Sequence, residues 1–166
     1  MDADIQIRTV GVSQRDLLIR MYDRFEPLGG ALGLPPWGAQ PRRAWIGVAL
    51  GSRLNLAAVS PTGEAVGHCF LVVDGPDSAE LAVFVHQQYR RRGVGTALLN
   101  AALEWGSRSG LRHVWTLTSF DNQAALRLQS RCGFRLANEA SPETKLEIDL
   151  PELRPDLQMP YAGCRA

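Results

Sequence analysis

Glu80-Leu81-Ala82-Val83-Phe84-Val85-His86-Gln87-Gln88-Tyr89-Arg90-Arg91-Arg92-Gly93-Val94-Gly95-Thr96-Ala97-Leu98-Leu99 holds the change of hydrophobic period on which the fold turns. Leu81 to Val85 is a short apolar run rich in β-branched and aromatic residues, a composition that favours a strand over a buried helical segment. From Val94 onward, Val94, Ala97, Leu98, Ala101, Ala102 and Trp105 fall on one helical face. The stretch therefore reads as a strand, a basic turn and the first turns of a helix. Arg90, Arg91, Arg92, Gly93 and Gly95 make the turn, so backbone N–H groups at a helix start meet concentrated positive charge, which suits a phosphate. Without a Cβ, Gly93 and Gly95 let the backbone take unusual dihedrals and admit an oxygen-rich ligand, while Thr96 adds a hydroxyl donor. The competing reading is an ordinary basic turn before a helix. Two better-known phosphate loops do not fit: Leu98 stands where a dinucleotide fingerprint needs its third glycine, and no Gly-Lys-Ser/Thr follows.

The pattern that remains is Arg90-x-x-Gly93-x-Gly95 between a strand and a helix, and downstream stands Asn122-x-x-Ala125-x-x-Leu128 followed by Gly133-Phe134. In this order and spacing the two segments resemble the coenzyme loop and the later Asn-x-x-Ala-x-x-Leu-Tyr-x-x-x-Gly-Phe segment of the Gcn5-related N-acetyltransferase family. The resemblance spans roughly residues 55 to 150. It implies an α/β (α+β) fold with a central mixed, mostly antiparallel sheet of six to seven strands flanked by about four helices. Residues 1–150 are expected to form one domain and 151–166 a tail of no derivable role.

Composition sets the remaining bounds. At 166 residues the chain suits one domain able to bury roughly two-thirds of its unfolded surface. Hydrophobic residues make up 45% and charged residues 21%, as in an ordinary globular protein. A net charge of +1 gives no reason to expect a nucleic-acid or anionic-membrane partner, so the arginine cluster reads as a local site. Cys69, Cys132 and Cys164 are odd in number and far apart, which argues against a disulfide framework and a cysteine zinc site. No apolar run reaches the ~18 residues of a membrane span, and no basic leader precedes Asp2 and Asp4, so a cytoplasmic protein is expected.

In chain order, Ile5 to Val10 alternates as a first strand, and Ser13 is placed to cap a helix carrying Leu17, Leu18, Met21, Tyr22 and Phe25 up to Pro27. Pro27 to Gln40 is rich in Gly and Pro and reads as a loop that packs back through Leu28, Leu32, Leu34 and Trp37. Arg42 to Leu50 is a short helix. Leu54 to Val59 and Ala65 to Val73 are two strands about the turn at Pro61 to Glu64, and a turn at Asp74 to Asp77 leads to the third strand of a meander. The helix after the arginine turn ends near Ser109 with Gly110 as its cap, and Leu111 to Thr118 supplies a strand for a parallel crossover. A helix capped by Asp121 or Asn122 ends at Gly133. Phe134 to Ala137 and Lys145 to Leu150 then close the sheet around a loop at Pro142.

What the resemblance implies about chemistry is transfer of an acetyl group from acetyl-coenzyme A to a primary amine of a small molecule or protein, by direct attack and without a metal. The alternative is a non-catalytic coenzyme-binding sensor or scaffold. Backbone amides of Arg91, Arg92, Gly93, Val94, Gly95 and Thr96 would hold the pyrophosphate, with Arg90 at the mouth, and main-chain groups of Phe84 and Val85 would pair with the pantetheine arm. Asn122 would contact pantetheine, or cap its helix, or both. Glu80 matches the acidic base of some members but is equally a strand-end charge, and Gln129 stands where the family has the tyrosine that protonates the leaving thiolate. Tyr22, Phe25, Glu26 and Trp37 are candidates for the acceptor pocket, or else cover the core. His86 reads as a surface or coenzyme-edge residue and His68 as a satisfied structural imidazole. Members of the family are often dimers, so a homodimer is an open expectation.

Overall fold

The computed structural model describes residues 4–29, 34–137 and 143–151. The tail beyond Pro151, the loop around Pro142 and part of the Pro27 to Gln40 loop, Leu32 included, lie outside them. Seven strands occur among the described residues: β1 (Gln6–Thr9), β2 (Leu54–Val59), β3 (Ala65–Val73), β4 (Ser78–Val85), β5 (His113–Ser119), β6 (Arg135–Leu136) and β7 (Glu143–Asp149). They form one sheet in the order β1-β2-β3-β4-β5-β7-β6. Every adjacent pair is antiparallel except β4 with β5. Four helices accompany it: α1 (Arg15–Tyr22), α2 (Ala39–Leu50), α3 (Val94–Arg108) and α4 (Gln123–Arg131). The mixed, mostly antiparallel sheet expected from the sequence is the one observed.

Alternation divides the core into two layers. One face of the sheet sends Leu56, Cys69, Leu71, Leu81, Val114, Leu146 and Ile148 against Val94, Leu98, Leu99, Ala102 and Leu103 of α3, with Leu126 and Leu128 of α4 packed on the same cluster. The opposite face packs Ala57, Val59 and Ala65 against Leu18, Met21 and Tyr22 of α1 and Ile46 and Leu50 of α2. Gly67 on β3 explains how α3 comes so near the sheet. A Cβ there would lie 2.9 Å from Leu98 Cδ1, 3.1 Å from Val94 Cγ1 and 3.2 Å from the Phe84 carbonyl oxygen.

Helices α3 and α4 end in the same way. Gly110 (φ 86) and Gly133 (φ 92) adopt the left-handed conformation that L side chains resist. Leu111 N–H then donates to Gly106 O at 3.0 Å, and Phe134 N–H to Gln129 O at 3.1 Å, which satisfies helix carbonyls and turns Leu111 and Phe134 into the core. Cys69 is buried as a free cysteine, whereas Cys132 is disulfide-bonded, against the reading from cysteine spacing.

The first helix departs from expectation. Ser13 does not cap it. Val12–Gln14 forms a single 3-10 turn in which Gly11 N–H donates to Gln14 Oε1 at 2.9 Å, because a Gln side chain is long enough to reach back over the turn. Helix α1 ends at Tyr22, and Phe25 is buried beyond its end. Helix α2 starts at Ala39, so Ala39 and Gln40 are helical. Pro41 sits in its first turn, where a missing N–H costs nothing. Arg42 is buried at 7% exposure and anchors this corner. Its guanidinium donates to Asp23 Oδ1 at 2.6 Å and to the carbonyls of Pro36 and Gly38 at 3.3 and 3.2 Å, tying the loop to the end of α1.

Candidate active site

Strands β4 and β5 pair through only three positions, Ser78 with His113, Ala79 with Val114 and Glu80 with Trp115. Beyond these, β5 continues to Ser119 with β7 and β4 continues to Val85 with β3, so the two strands part. Main-chain direction along β4 follows from one bond. His86 N–H donates to Val66 O at 2.9 Å, which makes this the hydrogen-bonded kind of antiparallel pair. Counting back in register, Phe84, Ala82 and Glu80 also pair with β3, whereas the N–H groups of Val85 and Val83 turn toward the gap and Leu81, the next in that series, still faces β5 at its last pairing. Of the two residues expected to offer backbone, Val85 faces the gap and Phe84 does not. Val83 takes that place.

The arginine turn closes the end of the gap. Gly93 (φ 78) is the N-cap of α3 and Arg91 (φ 61) also adopts the left-handed conformation, so the unusual dihedral reaches an arginine as well as a glycine. The amides of Val94, Gly95 and Thr96 precede the first helical bond, Ala97 N–H to Gly93 O at 3.0 Å, and no side chain caps them. The first turn of α3 contains no acidic residue. These amides carry the positive end of the helix dipole. Gly95 does not take the left-handed conformation, and it has a packing role the sequence did not suggest: a Cβ there would lie 2.8 Å from Leu128 Cδ2 and 3.5 Å from Val85 Cγ2, so its smallness lets α4 and β4 approach α3. Val94 is 1% exposed and belongs to the core through its side chain.

Arg90 turns back from the loop. Its Nε donates to Val85 O at 3.0 Å, its guanidinium donates to Glu26 O, and it lies 5.7 Å over the Phe25 ring. Burial lowers its pKa below the usual arginine value. Arg91 and Arg92 are exposed, with the Arg92 guanidinium 5.3 Å over the Tyr89 ring. His86 is buried rather than at the surface, and that burial lowers its imidazole.

On the sheet face opposite α3, the four acceptor candidates separate. Tyr22 and Phe25 are buried and 5.6 Å apart in an aromatic cluster with Trp45 and Phe84. Glu26 is exposed, and its N–H donates to Gln87 Oε1 at 3.1 Å, beside the arginine turn. Trp37 is 67% exposed and makes no ring contact with the others. Tyr22 OH lies 2.8 Å from His68 Nδ1, whose Nε2 lies 3.0 Å from Asn55 Oδ1. Since Asn55 Nδ2 donates to Ser52 O, its Oδ1 accepts from Nε2 and the Tyr22 hydroxyl donates to Nδ1. Burial pushes the His68 imidazole down to about 3, so it is neutral, the satisfied core histidine that was expected.

Glu80 is half-buried on this face, and burial, with the Asp74 charge second, raises its carboxyl above the ordinary value. The neighbours were not visible in the sequence. Trp115, opposite Glu80, donates from Nε1 to Asp74 Oδ2 at 2.6 Å, and Lys145 Nζ stands 4.9 Å over the Trp115 ring. Burial opposes ionisation of Asp74, but hydrogen bonds from Ser78 and Trp115 hold its carboxyl below the usual range.

Across the gap, Asn122 Oδ1 accepts from Ala125 N–H at 3.1 Å and caps α4. Gln129 is 2% exposed and faces the core. Its Nε2 donates to Thr118 Oγ1 at 2.8 Å, and Thr118 Oγ1 lies 3.2 Å from its Oε1, so the amide is committed to β5.

This fold is shared with solved acetyltransferases. The GNAT domain of S. lividans PAT superimposes with a TM-score of 0.75 at 19% identity, covering 88% of this chain and 90% of that one. By sequence, the model of the acetyltransferase (GNAT) family matches residues 15–134, and the chain belongs to that family. An uncharacterised N-acetyltransferase of Methanocaldococcus jannaschii is 38% identical over 52 residues, 31% of this chain, and the match spans 23% of that protein's length. The uncharacterised protein YdhI of Bacillus subtilis is 25% identical over 122 residues, 70% of this chain and 75% of its own.

Proposed function

We propose that this chain transfers the acetyl group of acetyl-coenzyme A to a primary amine by direct attack. The observation that carries the reading is the main-chain edge of β4 at Val83 and Val85, beyond the last pairing with β5, running into the uncapped amides of Val94, Gly95 and Thr96. A peptide-like arm needs such an edge, and a pyrophosphate needs such a helix start. Coenzyme A has both parts, one beside the other. The Val83 or Val85 N–H is the candidate donor to the oxyanion that forms on attack. Arg91 and Arg92 supply charge, and Asn122 fixes the start of α4 on the far side of the gap. Glu80 is the candidate base, directly or through a water: its raised pKa brings it closer to that of a useful proton acceptor. Trp37 and Glu26 would shape the rim of the acceptor site and Tyr22 and Phe25 its floor.

A second reading is favoured by Gln129. With its amide held by Thr118, it offers no proton to a thiolate, as fits a protein that binds acyl-coenzyme A without turning it over. Titration calorimetry with acetyl-coenzyme A, coupled to thiol release against a panel of amines, separates the two. Binding with release supports transfer, binding without release from any amine supports the sensor, and no binding removes both. If Trp37→Ala changes acceptor KM no more than it changes Tm, Trp37 is not part of the acceptor site.

A further inference from the structure

We propose that Lys145 is an acetylation site of this protein, modified by the chain's own active site. The inference rests on the acetyl-transfer reading above. Lys145 is the only lysine in the sequence, all other basic side chains apart from histidine being arginine. It does not lie on a remote surface. It is on β7 in register with Leu117 of β5, on the sheet face that carries Trp115 and Glu80. The side chain leans along that face, so that Nζ is 4.9 Å over the indole of Trp115, and Trp115 is the last β5 residue paired with β4 before the gap opens. The same indole is fixed by its bond to Asp74 Oδ2 at 2.6 Å. An aromatic face with carboxylates around it is a seat for an ammonium ion, and here the protein's own amine fills it.

Asp74 holds the indole, and Glu80 and Glu147 are Trp115's partners in register on β4 and β7; Glu147 also faces His113 Nε2 at 3.6 Å and Arg135 of β6, which leaves Asp74 and Glu80 as the carboxylates toward the gap. Transfer balances with what the reading supplies. The Lys145 ammonium gives one proton to Glu80 or to a water it holds, and neutral Nζ attacks the thioester carbonyl. The C–N bond forms, the C–S bond breaks, and the nitrogen's second proton goes to the departing thiolate through solvent. The product is neutral, so it loses both its attraction to Asp74 and its cation–π contact.

The test is peptide mapping by mass spectrometry of the full chain incubated with acetyl-coenzyme A, with Nα-acetyl-lysine in the same tube at equal concentration. Lys145 is expected to gain one acetyl group at least tenfold faster than the free lysine analogue. The rate should not change on diluting the protein at fixed coenzyme, because the seat is in the same chain. Glu80→Gln should slow it tenfold or more, and Trp115→Leu, which removes the seat but not the base, should slow it as well. Acetylation no faster than that of the analogue, or equally fast in urea, overturns the proposal. Thiol release with the amine panel in Lys145→Arg distinguishes the failures. Release there with an unmodified Lys145 in the parent chain sinks this inference alone, and release from neither sinks the acetyl-transfer reading with it.

Discussion

At the scale of single residues, burial decides what each ionisable group can do. His68 is neutral in the fold, with its pKa at about 3, while an unfolded histidine titrates near 6.5. Between those values the unfolded chain binds the extra proton. Stability therefore rises with pH through this window and is lost as pH falls below about 6.5, at roughly 1.4 kcal/mol per pH unit. Urea unfolding at pH 7 and pH 5 should show a loss on the order of 2 kcal/mol, and His68→Gln should flatten that slope while lowering stability at pH 7. Glu80 is shifted the other way, upward. Its raised carboxyl must lose a proton to act as base, so transfer should rise with pH through a midpoint above the ordinary carboxylate value. Glu80→Gln should cut kcat by about 10²–10⁴-fold, remove that limb of the profile and leave the coenzyme KM unchanged.

Elements bring these residues together, and glycines set how closely they do it. Gly67→Ala would press a Cβ against Leu98, Val94 and the Phe84 carbonyl, two side chains and one backbone atom that cannot all yield. A loss of about 1–3 kcal/mol in thermal melts is expected. Gly95→Ala meets the flexible end of Leu128 and should cost less. Gln129 ties α4 to β5 through Thr118, so Gln129→Ala should lower stability by about 1–3 kcal/mol through unpaired hydroxyls but reduce turnover less than tenfold. A hundredfold loss of turnover with coenzyme binding intact would mean that the amide takes part in the chemistry. Much at this scale was legible in the sequence. β2 and β3 have the bounds expected from their alternation, and α3 and α4 stop at the glycines that were picked out. What was not legible depends on partners distant in the chain. The register with β3 decides that Val83 and not Phe84 faces the gap, Leu128 decides why residue 95 is glycine, and the Trp115, Asp74 and Lys145 seat joins three strands or strand ends. Ser13 does not cap α1 because it lies inside the 3-10 turn Val12–Gln14, one residue before the N-cap position of α1 at Gln14.

Across the whole molecule, β1 to β4 with α1, α2 and α3 make one body, and β5, β7 and β6 with α4 make another. A three-residue parallel pairing and the cluster under α3 and α4 join them. A ligand in the gap touches both bodies. Acetyl-coenzyme A at a hundred times its Kd should add about 2.7 kcal/mol of stability, read as a rise in Tm. Hydrogen exchange should slow at Val83 and Val85, whose amides gain a partner, and not at Phe84, whose amide already has one on β3.

The parting of β4 and β5 has a mechanical meaning too. Pulled from β1 and β7, the sheet carries load through five strand seams in series, and the β4 to β5 seam is the shortest of them, in which Ser78, Ala79 and Glu80 meet His113, Val114 and Trp115. Under tension this seam is a built-in fault line. A molecule that lays a strand-like arm in it acts as a rivet across the fault, and the force needed to open the sheet becomes a direct gauge of how firmly the site is filled.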